Sequence, residues 1–211
     1  MHYPKINSLF KRDTDKKKSL LIDDYALPEF GLIKHWHVEE KIDGTNIRID
    51  FVRAHTTPDT VVYKGRTDES QIPDHLLNYL TGFFTCERLA HLFIHNTSVT
   101  LYGEGYGPKI QSGDYYRDTP GFILFDILLD NKLWLTRQEI KLIADQLGLP
   151  VPADLGIMTE QEVIAFVKSN PPSRVSIQQH CLEGIIARPE PLLLLQNGTP
   201  LMWKLKCRDF R

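Results

Sequence analysis

The stretch Lys41-Ile42-Asp43-Gly44-Thr45-Asn46 decides how the rest of this 211-residue chain is read. A lysine amine is a weak nucleophile while protonated, so an enzyme that uses one must loosen its proton by burial, neighbouring cations or a metal. The segment that follows, Asn46 to Phe51, alternates Ile47, Ile49 and Phe51 with Arg48 and Asp50, the period of a half-buried strand. Lys41 is therefore expected at the end of the preceding strand. Gly44 leaves room for backbone to approach a sugar or phosphate, and Thr45-Asn46 adds short polar side chains. With residues 38–43 extended, Glu39, Lys41 and Asp43 share one face, and Glu40 and Ile42 point away from it.

Further along, Thr60 to Tyr63 is a second short β-rich run, ended by Gly65-Arg66-Thr67-Asp68. Residues 98–104 and 121–129 read as strands, with Asp130-Asn131 a tight turn into Lys132–Leu135. Residues 74–93 place Leu76, Leu77, Leu80, Phe83, Phe84 and Leu89 at helical spacings, with Thr81-Gly82 as the weak point. Thr136 with Glu139, and Thr159 with Glu162, are capping boxes that start two amphipathic helices, the first closed by Gly148 and Pro150. Strands return at 182–187, 191–196 and 200–206, with Asn197-Gly198 turning between the last two. Hairpins with interspersed helices predict an α+β fold, a single domain over residues 1–211 and no internal repeat.

The net charge of -2 excludes a globally basic nucleic-acid binder, so phosphate contacts must come from a local patch. Cys86, Cys181 and Cys207 form no C-x-x-C pair, which fits reduced thiols and argues against structural zinc. No secretory leader or membrane-spanning run is visible, so a cytoplasmic protein with no membrane partner is expected, in the host cytoplasm if phage-encoded. His91 and His95 have the spacing of zinc ligands but lack an H-E-x-x-H glutamate and a third ligand, and Lys16-Lys17-Lys18 reads as a solvated loop.

The remaining polar motifs converge on anion chemistry. Lys204 and Lys206 point to the same face of a strand and would hold a phosphate together. Glu104 lies between Gly103 and Gly105, which would let a ligand come close to the backbone. Phe125 alternates with Ile123 and Ile127 in an apolar strand, a core pattern by default.

In this order, Lys41-Ile42-Asp43-Gly44-Thr45-Asn46, Tyr102-Gly103-Glu104-Gly105, Phe122-Ile123-Leu124-Phe125-Asp126, Glu183-Gly184-Ile185-Ile186 and Trp203-Lys204-Leu205-Lys206 resemble the motifs of the covalent nucleotidyltransferases. That superfamily comprises ATP-dependent DNA ligases, RNA ligases and mRNA capping enzymes. The resemblance is greatest to phage-type RNA ligases of the second T4 type, to whose start Tyr3-Pro4-Lys5-Ile6 and Phe10-Lys11-Arg12-Asp13 are also similar.

The resemblance implies a nucleotidyltransferase (ATP-grasp-like) fold, with largely antiparallel sheets, flanking helices and a central nucleotide cleft. It implies that Lys41 attacks the α-phosphorus of ATP to form lysyl-AMP, with Lys204 and Lys206 on the α-phosphate. Phe125 would stack on the adenine, since every base offers a π-face. Asp126 would stand beside it, and Arg66 would touch phosphate or ribose, although Gly65 stands where the nearer relatives carry lysine. Glu104 would reach the ribose or a metal, and Glu183 would help hold Mg²⁺. Ile42, Asp43, Gly44 and Asn46 complete the nucleotide set. For the adenine amino group the family's E-K pair favours Glu40, and strand parity favours Glu39. Asn46 matches the RNA ligases, while Asp43 matches DNA ligases and capping enzymes.

The activity implied is joining of RNA 5′-phosphate and 3′-hydroxyl ends, including those at nicked duplexes. The alternatives are a minimal nick-sealing DNA ligase and a regulatory nucleotide-binding module. The sequence ends five residues past Lys206, so the expectation is no C-terminal oligonucleotide-binding or helical domain. Adenylylation would then outlast end joining; the alternatives are a minimal ligase, a shortened chain, or an enzyme that depends on a partner protein for polynucleotide binding.

Overall fold

The computed structural model describes residues 2–13, 15, 19–54 and 56–210. Its strands are β1 (Asn7–Ser8), β2 (Phe10–Arg12), β3 (Leu20–Tyr25), β4 (Trp36–Lys41), β5 (Thr45–Val52), β6 (Thr60–Gly65), β7 (Ser98–Tyr106), β8 (Gly121–Leu129), β9 (Leu133–Trp134), β10 (Asp154–Met158), β11 (Gly184–Arg188) and β12 (Trp203–Lys206). The α-helices are α1 (Asp74–Phe83), α2 (Cys86–Leu92), α3 (Arg137–Leu147) and α4 (Glu160–Lys168). The chain is α+β, and its contacts divide it into two units. One, here the meander unit, holds His2 and Tyr3 with Asp43–Val151; the other, here the lysine unit, holds Pro4–Ile42 with Pro152–Arg211.

In the meander unit the sheet order is β6-β5-β7-β8-β9, with every pairing antiparallel. Period-two alternation, shifted by one residue between Leu124 and Ile127, sends Ile47, Ile49 and Phe51 of β5, Val99 and Leu101 of β7, and Phe122, Leu124 and Ile127 of β8 into one core. Leu76 and Leu80 of α1, Leu89 of α2, and Ile140, Ala144 and Leu147 of α3 cover it. Each such large side chain, fully buried, contributes roughly 1.5–3 kcal/mol. Gly103 and Gly105 belong to this packing. A Cβ on Gly103 would lie 2.1 Å from the Phe122 ring, and one on Gly105 would lie 2.5 Å from Leu76. The glycines flanking Glu104 thus admit core side chains beneath the sheet, rather than a ligand.

In the lysine unit the order is β1-β12-β11-β4-β10, antiparallel except for the parallel pair β1 and β12. Trp36 and Val38 of β4, Ile185 and Ala187 of β11, and Trp203 and Leu205 of β12 face a core closed by Val163 and Val167 of α4. The Trp36 and Trp203 rings meet edge to face at 5.2 Å. A small β2-β3 sheet adds Phe10 to the same core.

Local signals formed as read. Both capping boxes are complete, Thr136 with Glu139 and Thr159 with Glu162. Gly148 is left-handed at φ 67°, and Asp130 and Asn131 are both at positive φ in their turn. Other expectations need correcting. The helix over 74–93 is two helices, divided at Phe84-Thr85 rather than Thr81-Gly82, because the Thr85 hydroxyl accepts from Arg88 N and caps a new start. Residues 191–196 form no strand. Pro191 and Pro200 lack ladder donors, and only the Leu194–Pro200 bridge survives beside the Asn197-Gly198 turn. His95 lies beyond the end of α2, so it shares no helix face with His91. Among the described residues no three His, Cys, Asp or Glu side chains gather as a metal site. Lys16-Lys17-Lys18 lies outside the described residues.

Candidate active site

Register brings the lysines together. Lys41 on β4 stands opposite Gly184 on β11, which stands opposite Lys206 on β12. The next row is Glu39, Ile186, Lys204 and, on β1, Ser8. Residues directly opposite in a sheet share a face, so Lys41, Lys206, Lys204 and Glu39 all project from the side away from the tryptophan core. Glu183 precedes β11 and joins them: its Oε2 accepts from Lys41 Nζ at 2.6 Å and its Oε1 from Lys206 Nζ at 2.5 Å. The bridge is well shielded, with all three side chains at most 20 % exposed. Lys41 Nζ also donates to the Ile42 carbonyl at 3.1 Å.

Gly184 makes this closeness attainable. A Cβ there would sit 2.2 Å from the Leu205 carbonyl oxygen, so no other residue lets β11 and β12 lie as they do. Three lysines share Glu183, while Glu39 on the same face pairs with Arg188, so an excess of positive charge remains. Burial first, and then the charges of Lys41 and Lys206, push the pKa of Lys204 down to about 8. Such a site favours a multivalent anion.

The two glutamates before Lys41 separate by face. Glu39 lies on the lysine face, with its carboxylate 3.6 Å from Arg188 Nε. Glu40 lies on the other face and is 1 % exposed. Its carboxylate accepts from Ser173 Oγ at 2.5 Å and from Arg174 N at 2.8 Å. Burial raises its pKa, against the lowering by those donors. Glu40 thus anchors the 173–176 loop.

The meander unit carries the other predicted residues. A Cβ on Gly44 would meet the Gly105 carbonyl at 2.4 Å, so this glycine is required by backbone contact between the Asp43-Gly44 turn and β7. Asp43 N–H donates to the Tyr116 hydroxyl at 3.3 Å. Asn46 pairs across strands with Glu104, both on the face away from the core, and the buried Asn46 Oδ1 has no hydrogen-bond partner. Arg66 is exposed on the turn after β6. That face of the sheet is more enclosed than a half-buried strand suggests: Arg48 is 5 % exposed, with ion pairs to Asp50 and Asp68.

Phe125 departs from its default. Tyr102 pairs with Asp126 and Gly103 with Leu124, which leaves Phe125 as the extra residue of a β-bulge. The bulge takes it out of alternation and out of the core, and its carbonyl accepts from Arg137 Nη1 at 2.5 Å. Its ring lies 5.0 Å from that of Tyr3, a buried residue whose hydroxyl donates to Asp126. Tyr3 packs against Tyr102 and Trp134 behind Phe125. Tyr3 and Tyr102 stand in motifs that the sequence offers, but their support of Phe125, like that of Trp134, depends on pairing between distant segments that no local pattern shows.

A shielded lysine tied to a carboxylate, on a face with two further lysines, concentrates positive charge that suits a phosphate-bearing ligand. A sequence model of the RNA ligase family matches residues 34–205, and the chain belongs to that family. No curated protein sequence matches it. Among solved structures, the chain is similar to a Naegleria gruberi RNA ligase variant with ATP and Mn, at 18% identity and a TM-score of 0.65, over 99% of this chain and 58% of that one. The same ligase with PPi aligns at 18% identity and TM-score 0.59 over 84% of this chain and 50% of that one. The chain thus spans between half and three fifths of the Naegleria ligase.

Proposed function

We propose that this protein is an ATP-dependent RNA ligase of the phage type, acting through a lysyl-AMP intermediate at Lys41. The observation that supports this most directly is the Glu183 bridge between Lys41 and Lys206, with Lys204 one row away on the same face. Lys41 Nζ, having given up its extra proton to solvent, attacks the α-phosphorus of ATP, a P–N bond forms as a further N–H proton leaves, and the bond to the β-phosphate oxygen breaks to release pyrophosphate. Glu183 holds the amine in place, and Lys204 and Lys206 neutralise charge that develops on the phosphoryl oxygens. AMP then passes to a 5′-phosphate. A 3′-hydroxyl attacks that activated end, forms the phosphodiester and releases AMP.

In this reading Glu39 faces the nucleotide and Glu40 supports the loop behind it. Asn46, Arg66, Glu104 and Phe125 serve the nucleoside and ribose, and the Asn46 amide oxygen is an acceptor waiting for a donor. Glu104 in the meander unit and Glu183 in the lysine unit each offer hard carboxylate oxygens, and among the described residues no group of three His, Cys, Asp or Glu side chains gathers as a metal site. Carboxylate oxygen suits Mg²⁺, which keeps several waters and takes others of its ligands from phosphates. When bound, the ion would offset phosphate charge. The acceptor is RNA, at free ends or a nicked duplex, with a partner protein assisting its capture. Residues 1–211 act as one adenylyltransferase module. Free thiols at Cys86, Cys181 and Cys207 suit the cytoplasm, and no helix among the described residues is long and apolar enough to cross a membrane.

The test is labelling with α-³²P-ATP and a divalent ion, beside Lys41→Ala, followed by a chase with 5′-phosphorylated RNA and with nicked DNA. Label on wild type only, discharged into joined RNA, is expected. Discharge only at DNA nicks would replace RNA with DNA as the acceptor, and an unlabelled wild type would remove Lys41 as nucleophile.

A further inference from the structure

The lysine face does not end at Lys204 and Lys206. In the lysine unit a cleft of about 760 Å³ extends from these two residues along β1 and β2, and Lys5, Lys11, Arg12 and Arg208 line it with them. Its size is that of a small-ligand site. Six cations meet one lining carboxylate, Asp209. That carboxylate is already engaged: Oδ1 accepts from Arg12 Nη2 at 2.9 Å and Oδ2 from Lys206 N at 3.0 Å. Arg12 Nη2 also donates to Ser8 Oγ at 2.9 Å, so its guanidinium is held in place by two partners. Lys11 pairs with Asp24 at 2.8 Å at the edge. Lys206 is held by Glu183, so six cations stand against the three carboxylates Asp24, Asp209 and Glu183, and the cleft keeps an excess of positive charge.

The position of the cleft indicates what it receives. The strand order β1-β12-β11-β4 puts Lys41 two strands from Lys204, roughly 10 Å at the usual strand spacing, and the cleft begins on the far side of Lys204. Phosphoryl transfer is in line, with the entering and departing groups on opposite sides of phosphorus. If Lys41 attacks from one side, pyrophosphate leaves on the other, taking the electron pair of the broken P–O bond. When AMP is passed on, the roles reverse: a 5′-phosphate oxygen attacks from the side that pyrophosphate vacated, and the P–N bond breaks with its electron pair returning to Lys41.

We propose that the cleft lined by Lys5, Lys11, Arg12 and Arg208 binds a terminal phosphate anion opposite Lys41, either pyrophosphate or the 5′-phosphate of the polynucleotide. Arg12, held by Asp209 and Ser8, is its fixed donor, and Lys5 and Lys11 are its adjustable ones. The assignment of these two sources rests on the ligase reading above; the anion site itself rests on the cleft.

The experiment uses the whole chain and the double variant Lys5→Glu/Lys11→Glu, with Arg12→Gln as a second probe and exposed Lys132→Glu as a charge control. ³²P-pyrophosphate binding is measured by equilibrium dialysis. Competition by a 5′-phosphorylated oligoribonucleotide is compared with that of its 5′-hydroxyl twin. Binding of one or both phosphates at least tenfold weaker in the double variant and in Arg12→Gln, and unchanged in Lys132→Glu, is expected. A loss confined to pyrophosphate or to the 5′-phosphate identifies which source the cleft serves. Unchanged binding of both anions in the cleft variants would overturn the proposal. Self-labelling with ATP is scored separately: a wild type that binds pyrophosphate through Lys5 and Lys11 but never labels keeps the cleft and removes the ligase reading.

Discussion

Lys204 shows how one residue can be tuned by its neighbours and how that tuning can be tested. Burial and the ammonium groups of Lys41 and Lys206 bring its pKa from 10.5 down to about 8 in the folded protein. Between those two values the unfolded chain binds the extra proton and the folded chain does not, so this residue's contribution to stability rises with pH across that window. Anion binding must run the other way, because Lys204 loses its charge as pH passes about 8. Pyrophosphate affinity is therefore expected to weaken above about pH 8 while the thermal midpoint is lifted by this group, and Lys204→Arg, which stays charged, should flatten the affinity profile. Isotherms and melts from about pH 6.5 to about 9.5 would check this; wild-type affinity that is flat across that range would exclude Lys204 as an anion ligand. Such tuning was only half legible in the sequence. Parity put Lys204 and Lys206 on one face and Glu39 with Lys41, and both placements came from the two-residue period of strands alone. The destination of Glu40 depended on Ser173 and Arg174, more than a hundred residues away, which no local pattern could supply.

The elements divide along the same line between local and distant causes. The capping boxes at Thr136 and Thr159 and the Asp130-Asn131 turn were legible because their partners lie within three residues. The short β10, with Gly156 inside it, owes its existence to pairing with β4, and the bulge at Phe125 to the register of β7 against β8. The Glu183 bridge belongs to this second class, since it depends on β11 lying close against both β4 and β12. Gly184→Ala is the substitution that tests it at this scale. The added methyl would meet the Leu205 carbonyl at 2.2 Å and the Lys206 Cα at 2.8 Å, both backbone atoms with no rotamer to yield. The strands must part, at a cost of about 1–3 kcal/mol in stability. Glu183 then loses its simultaneous hold on Lys41 and Lys206. Single-turnover labelling with ATP is expected to slow by at least about tenfold, the equivalent of 1.4 kcal/mol in the barrier. A folded Gly184→Ala protein that labels at the wild-type rate would show that the bridge is not needed for the reaction.

Over the whole molecule, a net charge of -2 conceals a strongly uneven distribution. Carboxylates elsewhere on the chain cancel the sum, but six cations stand around one cleft, where only Asp24, Asp209 and Glu183 pair with them. Composition reports only the sum, which is why it excluded a basic protein but could not locate the basic site. Salt dependence separates the two descriptions, because only counterions displaced by phosphates bound at the cations are counted. For single-stranded RNA, about 0.7 counterion is released per neutralised phosphate, so a strand whose 5′-phosphate sits in the cleft and whose next phosphates meet the surrounding cations, four to five neutralised in all, predicts a slope of log K against log salt of about -3. Charge reversal at Lys5 and Lys11 removes two of them, and the slope should fall in magnitude by at least about 1.4. Fluorescence anisotropy of a labelled 5′-phosphorylated oligoribonucleotide across a potassium chloride series would measure both. A slope near zero would mean that RNA is held without the cleft. A normal slope left unchanged by Lys5→Glu/Lys11→Glu would mean that the RNA backbone tracks another face of the protein.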